Sequence, residues 1–210
     1  MSSTDAETIF VWHQVARVLA RGSGTRVALP IEVILWIFAL ADCTIILSYQ
    51  ASTMSRAFDN AGGNAEDSLF WFTTPPLTKG ILQRLQTLQL HTSTASHYQE
   101  WAGDLDAESW TLFEVSIKRQ PPQRRGWRRI FTKRPETSSE PYRWVSPHNP
   151  IILGEPQNLS EKFEADHELL SLLQPNDKLT VGAHARFSRR HGIEMSARLE
   201  FQRRFEPLFF

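Results

Sequence analysis

The apolar positions of this chain change period along its length. Over residues 8–20, Ile9, Val11 or Trp12, Val15, and Val18 or Leu19 recur at roughly helical spacing. They predict a short helix, stopped by the flexible run Arg21-Gly22-Ser23-Gly24-Thr25. Pro30 then stands where a first helical turn tolerates proline. Beyond it Ile31, Ile34, Leu35, Phe38 and Ala41 form one apolar stripe, and Val33, Ile37 and Leu40 form a second beside it. A helix apolar around most of its circumference must be covered on more than one side, by its own chain and by a partner. A second helical piece is expected from about Ile45 to Phe58, and Asn60-Ala61-Gly62-Gly63-Asn64 reads as a linker.

After residue 66 the pattern shortens. Ser68-Leu69-Phe70-Trp71-Phe72-Thr73 predicts a strand, and Trp110 to Ile117 alternates cleanly as another. Leu82 to His91 fits helix or strand, because its leucines only partly alternate. Tyr142 to Val145 reads as a short strand before the turn Pro147-His148-Asn149-Pro150, and Phe163 to Leu173 as a helix ending at Gln174-Pro175-Asn176-Asp177. Lys178–Phe187 and Ile193–Phe201 both alternate, and the polar joint between them, with Gly192, suggests an antiparallel hairpin. The expected fold is therefore α+β: a small helical module over residues 1–64, then a mainly antiparallel, jelly-roll-like β-sandwich over 65–210. Residues 118–140, rich in Arg, Lys and Pro, read as a long loop between strands.

Composition narrows the function classes. Lys plus Arg equals Asp plus Glu, 23 each, so global charge favours neither nucleic acid nor an anionic membrane. Cys43 is the single cysteine, which excludes an internal disulfide and suits a reducing compartment, cytosol or nucleus. The first residues lack the basic start and apolar run of a secretion signal. Val27 to Tyr49 is about long enough to cross a bilayer, but it carries Glu32, Asp42 and Pro30, so no membrane span is expected.

Two resemblances add to this. Leu29-Pro30-Ile31-Glu32-Val33-Ile34-Leu35-Trp36-Ile37-Phe38 resembles the opening Leu-Pro-x-Glu segment of an F-box, and Ser52, Arg56 and Phe58 stand where its closing piece would fall. That resemblance covers about thirty residues, on the order of a small helical motif. It implies a helical bundle that docks on the adaptor subunit of cullin-RING ubiquitin ligases. Leu29, Pro30, Val33, Ile34, Ile37 and Phe38 would carry the contact. The remainder is similar to a β-sandwich domain found in fungal proteins of unknown role. The likeness rests on Gln99-Glu100-Trp101, Ser109-Trp110-Thr111-Leu112-Phe113-Glu114, Leu173-Gln174-Pro175-Asn176-Asp177 and Val181-Gly182-Ala183-His184-Ala185-Arg186-Phe187. The arrangement is also similar to the sandwich that follows the F-box in phloem-lectin-type plant proteins.

Candidate chemistry is sparse. No Gly-x-Ser-x-Gly nucleophile, Gly-rich phosphate loop or His-Glu-x-x-His occurs, so neither an enzyme nor a cofactor is expected. His91 and His97 lack placed partners for a metal. Trp101 and Trp110, with His91, are candidates to line a carbohydrate or small-ligand pocket. Arg124, Arg125, Arg128 and Arg129, with Trp127 and Phe131 between and after them, are candidates to bind a polyanion. Three readings result: a subunit recruiting substrates to a ubiquitin ligase, a sandwich that binds a glycan or small ligand, and an interaction protein with a polyanion-binding loop.

Overall fold

The computed structural model describes residues 6–50, 53–58, 65–97, 110–119, 142–146, 149–150, 156–187 and 191–208. Trp101, Arg124, Arg125, Arg128, Arg129 and the linker at 60–64 lie outside them. Helix α1 spans Ala6–Arg21 and α2 spans Ile31–Leu40. Strands β1 (Thr44–Gln50), β2 (Met54–Phe58) and β3 (Ala65–Thr73) follow, then the short helix α3 (Lys79–Leu82) and strands β4 (Leu85–His97) and β5 (Trp110–Lys118). Next come β6 (Arg143–Val145), β7 (Asn149–Pro150), β8 (Gln157–Phe163), the short helix α4 (Glu168–Leu172), β9 (Lys178–Phe187) and β10 (His191–Arg204).

The strands form two antiparallel sheets. One runs in the order β1-β10-β4-β8, with β2 also on β10. The other runs β3-β9-β5-β6, with β7 also on β5. Alternation decides what lies between them. Leu88 and Leu90 of β4, Phe113, Val115 and Ile117 of β5, Leu179 and Val181 of β9, and Met195, Leu199 and Phe201 of β10 are buried in one core. Trp71 stacks on Phe113 at 5.8 Å within it. The architecture is a β-sandwich with helices added.

Three sequence expectations change. Residues 45–58 do not form a helix: β1 and β2 pair with β10. Thr44, Ile45 and Ile46 are β-branched, and Ile45, Leu47 and Tyr49 alternate inward, with Tyr49 edge-on to Phe201 at 5.3 Å. The expected helical module at 1–64 is therefore two helices whose continuation is sheet. Strands β9 and β10 do not form a hairpin, because they lie in opposite sheets with their apolar faces turned toward each other. Finally, the helix expected from Phe163 is only α4. Phe163 ends β8 opposite Leu88, and α4 is N-capped by His167, whose Nδ1 accepts from the Leu169 N–H at 3.1 Å.

The turn before β9 is locked by Asp177. Its buried carboxylate accepts from Gln174 N–H at 2.8 Å and from Arg119 Nε and a terminal Arg119 amino group, both at 3.0 Å. Those bonds hold the Arg119 guanidinium above its already high ordinary pKa, since deprotonation would break them.

A second, smaller core joins the helices to one end of the sandwich. Ala16 of α1, Ile34 and Phe38 of α2, Ile45 of β1 and Phe205 beyond β10 are buried together. Phe205 meets Trp12, His13 and Phe38 with ring centroids 5.2, 4.9 and 5.0 Å apart. Two turns aim the helices. Gly22 ends α1 at φ +69, where a side chain would lie 2.6 Å from Arg26 O, so only glycine fits. At the end of α2, Asp42 takes φ 48, while Asp42 N–H reaches Ala39 O and Cys43 N–H reaches Phe38 O. That Schellman-type exit sends the chain directly into β1.

Candidate functional site

The helix pair presents the most unusual surface among the described residues. Ile34 and Phe38 point from α2 into the small core, which turns the opposite side outward. There Trp36 is 73% exposed and Leu40 87%, with Val33 and Ile37 exposed beside them. Phe10, Val11, Val15 and Val18 of α1 are exposed as well. Glu32 is the one charged residue of α2. Solvated helix faces are normally polar, so an apolar face of this kind is a candidate interaction surface.

A groove of ≈ 480 Å³ runs beside Trp36. One wall is Glu32, Leu35, Trp36 and Ala39, and the other is Gln83 to Gln86 with Arg204, Phe205 and Glu206. Arg84 and Glu206 pair as ions on the far wall. Nearby Arg203 has its guanidinium pKa lowered, by burial first and by the Arg84 charge second. The groove is therefore apolar on its α2 side except for Glu32, and charged on its sheet side.

The six residues expected to dock on a ligase adaptor are divided by the structure. Pro30, Val33 and Ile37 are exposed, and Leu29 is half-buried against the small core. Ile34 and Phe38 are buried in the chain's own packing, and touching a partner would first require unpacking α2. Trp36 and Leu40 take their place on the open side. Leu40 belongs to the second apolar stripe of the sequence, and Trp36 lies next to it on a helical wheel, so this signal was present. Of the closing piece of the F-box-like segment, Arg56 and Phe58 stand on strand β2, and Ser52 lies outside the described residues.

His91 and Trp110 do not share a pocket. His91 is on β4 and Trp110 on β5, strands of opposite sheets. Trp110 is half-buried opposite Arg186. His91 instead belongs to a depression of ≈ 320 Å³ on the outer face of the β1-β10-β4-β8 sheet, lined largely by hydroxyl and amide side chains. Its Nε2 lies 3.2 Å from Glu200 Oε2, and Arg198 Nε lies 3.1 Å from Glu200 Oε1. The second pair is close as ions but not aligned as a hydrogen bond, since neither atom has a well-directed partner. A second polar cluster lies on the other sheet: Glu114 Oε2 meets His184 Nε2 and Arg143 Nε, each at 2.7 Å. Among the described residues no three His, Cys, Asp or Glu side chains gather as a metal site. No described helix is long and apolar enough to cross a membrane.

Comparison with known proteins adds little beyond architecture. No family model and no curated protein matches the chain. Among solved structures, a chain of infectious bursal disease virus Gx strain is similar over 78% of this chain, which spans 37% of that one, at 7% identity and a TM-score of 0.37. The decameric BFDV capsid protein is similar over 77% of this chain and 99% of its own, at 5% identity and a TM-score of 0.31. Likenesses this weak carry no statement about activity or partners.

Proposed function

We propose that this chain is a non-enzymatic interaction protein: a jelly roll that carries a two-helix docking platform. The jelly-roll reading is supported by strand order, since β1 lies beside β10 and β3 beside β9, neighbours far apart in sequence, as two interleaved Greek keys require. Such a fold hosts many functions, so the role rests on the surface instead. The observation that carries it is the open side of α2. The Trp36 indole stands in solvent beside a groove and the Leu40 side chain is exposed one turn on, while Ile34 and Phe38 clamp the helix from behind. A rigid helix with large apolar side chains held outward binds at little entropic cost, and such anchors dominate interface energies.

The partner proposed is the adaptor subunit of a cullin-RING ubiquitin ligase, on the strength of the F-box-like segment Leu29-Pro30-Ile31-Glu32 at the start of α2. The contact set becomes Pro30, Val33, Trp36, Ile37 and Leu40. The sandwich would then present a substrate. The test is calorimetric titration of purified chain with purified adaptor subunit. Wild type should bind, and Trp36→Ala and Leu40→Asp should each weaken binding about thirtyfold, the size of a hot-spot loss near 2 kcal/mol. Both side chains are too exposed for these changes to disturb folding, so thermal melts should be unchanged. A folded wild-type chain that shows no heat with the adaptor would defeat the ligase reading.

A further inference from the structure

We propose that the outer face of the β1-β10-β4-β8 sheet carries a binding site for a neutral polyhydroxylated ligand, a sugar residue of a glycan. The register builds it. Gln50 of β1 stands opposite Arg198 of β10, Arg198 opposite His91 of β4, and His91 opposite Ser160 of β8. One row along, Ser93 of β4 is opposite Asn158 of β8. Direct antiparallel partners point to the same side of a sheet, so strands distant in sequence converge on one patch.

Side-chain length shapes the patch. Serines at 93 and 160 make a low floor, and Gln50, His91, Asn158 and Arg198 stand higher around it. The resulting depression of ≈ 320 Å³ falls at the small end of ligand pockets.

Beside it, one row along β10 and opposite Gln89, sits a group that an ordinary solvated face does not need. Glu200 is on the same outward-facing register as Arg198, yet it is 4% exposed. Withdrawing a carboxylate from water costs free energy, and His91 and Arg198 offset it. The carboxylate in turn holds His91 by a hydrogen bond and Arg198 by charge. It takes Nε2 of His91 and leaves Nδ1 as the second polar atom of the ring. It also cancels the charge of Arg198, so the patch has no surplus positive charge to select an anion. Hydroxyls and amides both donate and accept, which matches sugar hydroxyls that do the same.

The probe is a printed array of mannose-, glucose-, galactose- and N-acetylglucosamine-terminated oligosaccharides, with the free sugars as competitors and sulfated glycans included. The whole chain should be retained by a subset of the neutral glycans. Ser93→Leu, which fills the floor, and Asn158→Ala should each weaken retention at least tenfold. Leu40→Asp, on the helix platform, and Trp110→Phe, on the other sheet, should leave it intact. Circular dichroism of each variant separates lost binding from lost fold. Retention by none of the neutral glycans, retention that survives Ser93→Leu in a folded protein, or retention by sulfated glycans alone overturns the proposal.

Discussion

Replacing Phe205 with alanine should detach the helix platform while leaving the sandwich folded. Among the described residues Phe205 is buried with Ala16, Ile34, Phe38 and Ile45, and Trp12, Leu19 and Leu29 pack partly buried against them. Its ring meets Trp12 nearly edge-on at 5.2 Å and Phe38 at 5.0 Å. Burying a Phe side chain is worth about 1.5–3 kcal/mol in transfer alone. The cavity left behind brings a core Phe→Ala change to about 3–5 kcal/mol, the edge-on ring contacts included. The middle of that range, about 4 kcal/mol, is expected. The loss should fall on α1 and α2, because the main core of Leu88, Phe113, Leu199 and Phe201 is untouched. Native-state hydrogen exchange reads it directly. Amides of α2 should exchange about a thousandfold faster, the equivalent of that free energy. Amides in the middle of β4 and β9 should change by less than about tenfold. Phe205→Leu keeps most of the volume and should cost less than about 1.5 kcal/mol. Protection of α2 within tenfold of wild type, or a loss spread evenly over both sheets, would refute the idea that this cluster alone holds the platform.

Asp177→Ala should lower stability by about 2–4 kcal/mol, because a buried carboxylate that accepts two hydrogen bonds from Arg119 and one from the Gln174 backbone is lost from the turn before β9. Arg119→Ala should cost a comparable amount, about 2–4 kcal/mol, because it leaves the buried Asp177 carboxylate without its cation, and a urea midpoint equal to wild type would contradict the assignment. His13, half-buried, is held below the ordinary histidine value of 6.5, by burial first and Arg17 second, and its Nδ1 accepts from Leu208 N–H at 3.2 Å. A depressed base contributes stability that is fully present above 6.5 and lost as pH falls from there toward the folded value. The C-terminal tail should loosen from α1 in that window, and an NMR titration of His13 with a midpoint at or above 6.5 would rule this out. The Cys43 thiol is pushed up, by burial and then by Asp42, so iodoacetamide should modify it more slowly in the folded chain than in urea; equal rates would contradict that.

The sequence by itself determined the local elements and their faces. The alternation in β5, β9 and β10 marked the residues that now fill the sandwich, because a period of two fixes which side chains share a face whatever strand lies next door. The two apolar stripes and Pro30 located α2. The first stripe contained the inward anchors Ile34 and Phe38, and the second contained Leu40 of the open side. Only the tertiary structure decided partners. Strands β9 and β10 look like a hairpin because they are adjacent and both alternate, yet they belong to opposite sheets, a choice made by long-range pairing that no local period encodes. Residues 45–58 became strand because β10 was there to receive them. The depression around His91 draws Gln50, Ser93, Asn158 and Arg198 from four strands, and the groove beside Trp36 joins α2 to residues at 83–86 and 204–206. Such sites exist only in the folded chain, because register and sheet order bring together groups that the sequence holds up to about 170 positions apart.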